Sequence, residues 1–123
     1  MEFRVWVGHF SSEARFQQYL SETYTDDRSV PINEFAADQG IVFYDHDWVE
    51  RHFDRTQGAK GLLTAVLVPA MVPHAAAAAS SVGLENANAL ILELTSEGRI
   101  TEPRSATGPD YKLHFLGTYT ANG

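Results

Sequence analysis

Residues 3–24 read FRVWVGHFSSEARFQQYLSETY, and the hydrophobic period changes partway along this stretch. Phe3, Val5 and Val7 alternate with Arg4 and Trp6, the two-residue period of a strand with one face in a core. Beyond Ser11 and Ser12, either of which can supply an N-cap oxygen, Phe16, Tyr19, Leu20 and Tyr24 recur at helical spacing. A strand followed by an amphipathic helix over about residues 12–24, lying on the sheet, is the expectation.

Working outward, two later segments complete the sheet. ALILEL at 89–94 and YKLHFLGTYT at 111–120 are rich in large apolar residues and flanked by turn chemistry, the mark of strands. Strands early and late with helices between them predict a single α+β domain over residues 1–123. Its sheet should be antiparallel or mixed, of about four strands, with helices packed on one face.

The middle of the chain is read piece by piece. TDDRSVPI is a polar loop, after which Asn33 can cap a short helix, NEFAADQ, that stops at Gly40. Ile41 to Tyr44 reads as a brief strand and Asp47 to Phe53 as a short helix. In that helix D-x-x-E would place Asp47 and Glu50 as a capping box. DRTQGAKG is a loop. Pro69 and Pro73 forbid one uninterrupted helix through 62–82, so a helix is placed at about 73–82, with Pro73 in its first turn and Gly83 past its end. Leu62 to Val68 stays open between helix and buried strand. The alanine run suits close packing. SEGRITEPRSATGPD reads as a long exposed loop or an extended hairpin tip.

Composition narrows the function. A chain of 123 residues with 44% hydrophobic and 20% charged residues is globular in character. It has no cysteine, which removes disulfides, thiolate nucleophiles and thiolate metal sites. MEFRVWVGHF lacks the basic and apolar regions of a secretory signal. The longest apolar run, Leu62 to Val72, falls short of the ~20 residues that cross a bilayer. These features predict a soluble cytoplasmic protein with no membrane partner.

The formal net charge is −7, and it is concentrated. Residues 22–54 carry nine acids against Arg28 and Arg51, while the remainder of the chain is balanced. Such a segment favours a basic partner over a nucleic-acid backbone; the alternative reading is a solvated acidic surface kept for solubility.

Within that segment, Asp45, His46, Asp47, Glu50 and His52 fall close together in YDHDWVERH. A metal needs three or four converging ligands, and neither H-x-x-x-H nor H-E-x-x-H occurs in the chain. G-x-S-x-G and the phosphate-binding glycine loops are also missing. No metal or cofactor is expected. A small carboxylate-dependent enzyme, metal-assisted or not, using Asp45, Asp47, Glu50 and His46, remains the alternative reading. VWVGHF is similar to the first strand of an RNA recognition motif, but neither ALILEL nor YKLHFLGTY supplies the second diagnostic strand. No nucleic-acid partner is expected.

An ordered series of motifs carries a resemblance across nearly the whole chain. WVG at 6–8, S-x-x-x-x-F-x-x-Y-L at 11–20, F-x-x-D-x-G-I-x-x-Y-D-x-D-W-x-E at 35–50 and the C-terminal YKLHFLGTY resemble the immunity protein 22 family. The middle element, with Tyr44, Asp45, Asp47, Trp48 and Glu50, is the most specific. Residues 62–82 depart from the family, with prolines and an alanine tract in place of a more polar helix. The resemblance implies a non-enzymatic inhibitor, encoded beside a bacterial polymorphic toxin, that binds the cognate toxin protein. The residues assigned to that contact are Asp26, Asp27, Glu34, Asp38, Tyr44, Asp45, Asp47, Trp48 and Glu50. Charge suggests a nuclease with a basic groove as the toxin. Oligomeric state has no signature in the sequence.

Overall fold

A computed structural model describes residues 1–121; the last two positions of the expected 1–123 domain lie outside the described residues. Five strands form one antiparallel sheet: β1 (Glu2–Phe10), β2 (Val49–Phe53), β3 (Ala89–Leu94), β4 (Ala106–Gly108) and β5 (Tyr111–Thr120). Their spatial order is β2-β3-β1-β5-β4. Four helices accompany them: α1 (Glu13–Leu20), α2 (Glu34–Asp38), α3 (Gly58–Val66) and α4 (Val72–Ser81). The fold is α+β as expected, with five strands in place of about four.

Strand β1 shows why the sheet needs cover on both sides. Val5 and Val7 point to one face, where they pack with Leu90 and Leu92 of β3 under α3 and α4. Trp6 and Phe10 point to the other, joining Ala89 and Ile91 under α1, α2 and the 41–44 loop. All six residues of β3 are buried. Helices therefore lie on both faces, which corrects the expectation of one: a strand paired on both edges and apolar on both sides has no face to leave in water.

Each helix buries what its spacing dictates. Ser12 caps α1, accepting from the Arg15 amide, and Phe16, Tyr19 and Leu20 are buried. The helix ends at Leu20, short of the expected Tyr24. Asn33 caps α2 as expected, its side chain accepting from the Ala36 amide. Ala59, Leu62, Leu63 and Val66 form the buried stripe of α3, which resolves the open reading of 62–68 as helix through Val66. In α4 the buried alanines Ala75 and Ala79 let the backbone approach closely. Pro73 lies in its first turn.

A bulge in β5 makes one strand serve both layers. Val5 pairs with Gly117 and Trp6 with Phe115, leaving Leu116 as the extra residue. Leu113 packs in the α1/α2 layer, whereas Tyr119, of the same parity, packs in the α3/α4 layer. Gly117 has φ +135°, a conformation that L side chains rarely adopt.

Two middle segments differ from expectation. Ile41–Tyr44 is loop, tied to the neighbouring chain where the Ile32 amide donates to the Val42 carbonyl at 2.9 Å. Residues 49–53 form β2, not a helix, pairing with β3 from Val49↔Glu93 to Phe53↔Ala89. Ahead of β2 is a 3₁₀ turn, His46–Trp48, capped by Asp45 and not by an Asp47/Glu50 box.

Candidate functional site

The acid-rich segment begins with a closed loop. The Thr23 amide donates to the Ile32 carbonyl at 2.7 Å, so the chain leaves and returns at one point, as in compact surface loops held by their own side chains. Asp27 organises the interior of that loop: its Oδ1 accepts from the Ser29 amide at 2.9 Å and from Ser29 Oγ at 2.6 Å. Those bonds hold the Asp27 carboxyl below its usual pKa.

The acids expected to meet a partner divide into two groups. Glu34 is gripped by Arg15 through two hydrogen bonds of 2.7 and 2.8 Å. Asp38 Oδ2 accepts from Tyr19 at 2.8 Å and Tyr111 at 2.6 Å. Asp45 accepts from the Asp47 amide at 2.9 Å to cap the 3₁₀ turn. All three, like Asp27, have internal duties. Asp26, Asp47 and Glu50 are exposed and lack such duties. Asp47 has only His46 at 3.5 Å, and Glu50 only His52 at 3.7 Å.

The two aromatic candidates also part company. Trp48 is 40% exposed, whereas Tyr44 is only 3% exposed. Asn33 Nδ2 donates to the Tyr44 hydroxyl, and burial raises the phenol's pKa. Tyr44 is thus an internal post between α2 and the 41–44 loop, buried where a contact residue was expected. Its ring packs edge-on to Phe35 at 5.8 Å.

Sequence reasoning missed an apolar groove of about 280 Å³ beside these acids, lined by Tyr24, Arg28, Val30, Ile32, Val42 and Phe43 among others. Tyr24, Val30, Val42 and Phe43 are all exposed. The reading of Tyr24 as helix and of Val42 and Phe43 as strand assigned those side chains to the core, which hid the groove; the structure leaves all three exposed. Next to the groove is a slot of about 90 Å³ walled by Leu20, Glu22, Tyr44, His46, Val49 and Arg51. The Tyr24 hydroxyl donates to Glu22 Oε2 at 2.9 Å, joining the two hollows. Glu22 Oε1 is buried without a hydrogen-bond partner among the described residues.

Of the residues proposed for carboxylate catalysis, Asp45, Asp47 and Glu50 line none of five surface hollows of about 90 to 540 Å³, and His46 lines the smallest. Among the described residues no group of three or more His, Asp or Glu side chains is placed to hold a metal ion. No helix in the described residues is long and apolar enough to cross a membrane.

These features define a small α+β protein with a shallow apolar groove and with Asp26, Asp47 and Glu50 exposed. The acids sit on a closed loop, a 3₁₀ turn and an edge strand. The chain belongs to the Immunity protein 22 family, whose model matches residues 3–121. Neither the curated proteins nor the solved structures contain a match to it.

Proposed function

We propose that this protein is a non-enzymatic immunity protein that acts in the cytoplasm by binding and neutralising a cognate bacterial toxin domain. Membership of the immunity-protein family is the observation that carries the reading. The contact surface is the exposed part of residues 22–54. Asp26, Asp47 and Glu50 supply uncommitted negative charge, and Trp48 supplies an exposed aromatic anchor. Asp27, Glu34, Asp38 and Asp45 add field from fixed positions. Clustered charge of one sign accelerates encounter with a partner of the opposite sign, and a central aromatic slows dissociation. A toxin with a basic face fits, and a nuclease whose groove holds phosphates is the class that charge complementarity favours.

Co-expression with the toxin encoded beside the gene is the test. Wild-type protein should restore growth and co-purify with the toxin. Growth arrest despite abundant folded protein would refute the reading.

A further inference from the structure

We infer that the groove at Tyr24, Val30, Val42 and Phe43 and the slot at Glu22 form one docking site for a basic segment of the toxin. In this site an apolar side chain lies in the groove and a lysine or arginine reaches Glu22 Oε1. The inference rests on the toxin-binding reading and deepens it.

Three observations meet here. The groove exposes Tyr24 and Val30 of the closed loop and Val42 and Phe43 of the 41–44 loop, the two segments being tied by the Thr23–Ile32 and Ile32–Val42 backbone bonds. Contiguous exposed apolar surface rimmed by polar residues marks interaction sites more than random solvent exposure does. The second observation is the unmet oxygen. Glu22 Oε2 is engaged by Tyr24 at 2.9 Å and lies 3.5 Å from His46, while Oε1 is shut from water without a donor. A carboxylate oxygen left in that condition is satisfied by an arriving cation, which makes a charge-assisted bond on entry. His46 and Arg51, which flank the slot, are exposed side chains.

The third is charge complementarity. Residues 22–54 carry the whole net charge of the chain, so a cation approaching this region is drawn toward it. Arg99 lies over the Phe43 ring at 5.6 Å. The occupant that satisfies both hollows is therefore amphipathic and basic. Charge alone would leave the groove empty, and an apolar anchor alone would leave Glu22 Oε1 unmet.

The test separates this inference from the function itself. Binding of an inactive variant of the toxin domain encoded beside the gene is measured by calorimetry and stopped flow, with a thermal melt of every variant. Glu22→Gln keeps the side chain's shape, and Val42→Ser trims the groove. Each should weaken binding at least tenfold, mainly through faster dissociation. Wild-type binding with both variants within twofold of it would overturn the docking site and leave the immunity function standing.

A second probe does not depend on the toxin. Phenethylammonium, an apolar cation, should shift the NMR signals of Tyr24, Val42 and Phe43, with phenethyl alcohol shifting them less and Glu22→Gln abolishing the difference. Equal shifts by the two compounds would overturn the role of Glu22. Shifts by the cation alongside absent toxin binding would uphold the site while refuting the toxin as its occupant.

Discussion

Arg15 on α1 holds Glu34 on α2 with two parallel hydrogen bonds, Nη1 to Oε2 at 2.8 Å and Nη2 to Oε1 at 2.7 Å. Its remaining Nε donates to Asp110 at 2.8 Å, at the turn between β4 and β5. One guanidinium thus ties together two helices and a hairpin. Arg15→Ala should lower stability by about 1–2 kcal/mol, since bidentate pairing exceeds the small value of a mobile surface pair while Glu34 stays partly solvated. Urea denaturation measures it. A change below about 0.3 kcal/mol would show the pair to be an ordinary surface contact.

The five tyrosines should titrate late. Burial is the main cause that raises Tyr19, Tyr44, Tyr111 and Tyr119, with Asp38 adding to the first and third, and the Glu22 hydrogen bond raises Tyr24. An acid whose folded pKa lies above its unfolded value of 10 loses stability as pH climbs past 10, because the unfolded chain releases its protons first. Absorbance at the phenolate band should therefore rise above pH 10 together with loss of the folded circular dichroism signal. Substantial ionisation of a still-folded chain at pH 10 would contradict this. Tyr111→Phe removes one bond to the Asp38 carboxylate and should cost about 1.5 kcal/mol.

Glu93 is fully buried, opposite Arg4 on the neighbouring strand, at 2.9 Å. Its other oxygen accepts from the Arg99 and Ile100 amides, pinning the 95–100 turn. Gly98 belongs to the same arrangement, because a Cβ there would fall 2.3 Å from the Glu93 carboxyl carbon. Burial raises the Glu93 pKa, against the opposing pull of Arg4. Its contribution to stability is accordingly largest at acid pH and declines as pH rises from about 4.5 through the raised folded value, then stays level. Glu93→Gln should abolish that decline in a pH series of thermal melts. Glu93→Ala, which strands Arg4, should cost about 3 kcal/mol.

Charge at the proposed contact surface can be varied without touching internal duties. Asp47→Asn with Glu50→Gln should slow toxin association roughly tenfold at low salt and flatten its ionic-strength dependence, leaving the melt within about 0.5 kcal/mol of wild type. Asp45→Ala is a contrasting variant, since Asp45 caps the turn that presents Trp48 and alanine removes the accepting oxygen. Stopped-flow association at several salt concentrations checks both. An unchanged salt slope in the double variant would refute the steering role of these two acids.

Much of this architecture was legible in the residues. The change of period between β1 and α1, the cap at Asn33 and the helix after Pro73 all rest on local chemistry, and local chemistry decided them. β2 was misread because Asp47 and Glu50 carry helix-start spacing, whereas its identity comes from pairing with β3 far along the chain. VERHF is exposed at its three central residues, so it has no alternation to betray a strand. Cover on both faces was hinted at by ALILEL, whose near-continuous apolar run suits burial on both sides. At the candidate site, the acids were legible as a cluster, but not their division into tied and free. That division depends on partners such as Arg15, Tyr19 and Tyr111, which lie outside residues 22–54.

The bulge at Leu116 sets where the sheet can change length. Because Leu116 is the unpaired residue between Phe115 and Gly117, removing it alone would let Gly117 follow Phe115 in regular pairing and keep Tyr119 on its present side. A one-residue loss from Leu113 to His114 would instead move side chains across the sheet, setting the Phe115 ring against the helices of the opposite layer. Among length variants of β5, the shortened strand lacking Leu116 should therefore be the one that still folds.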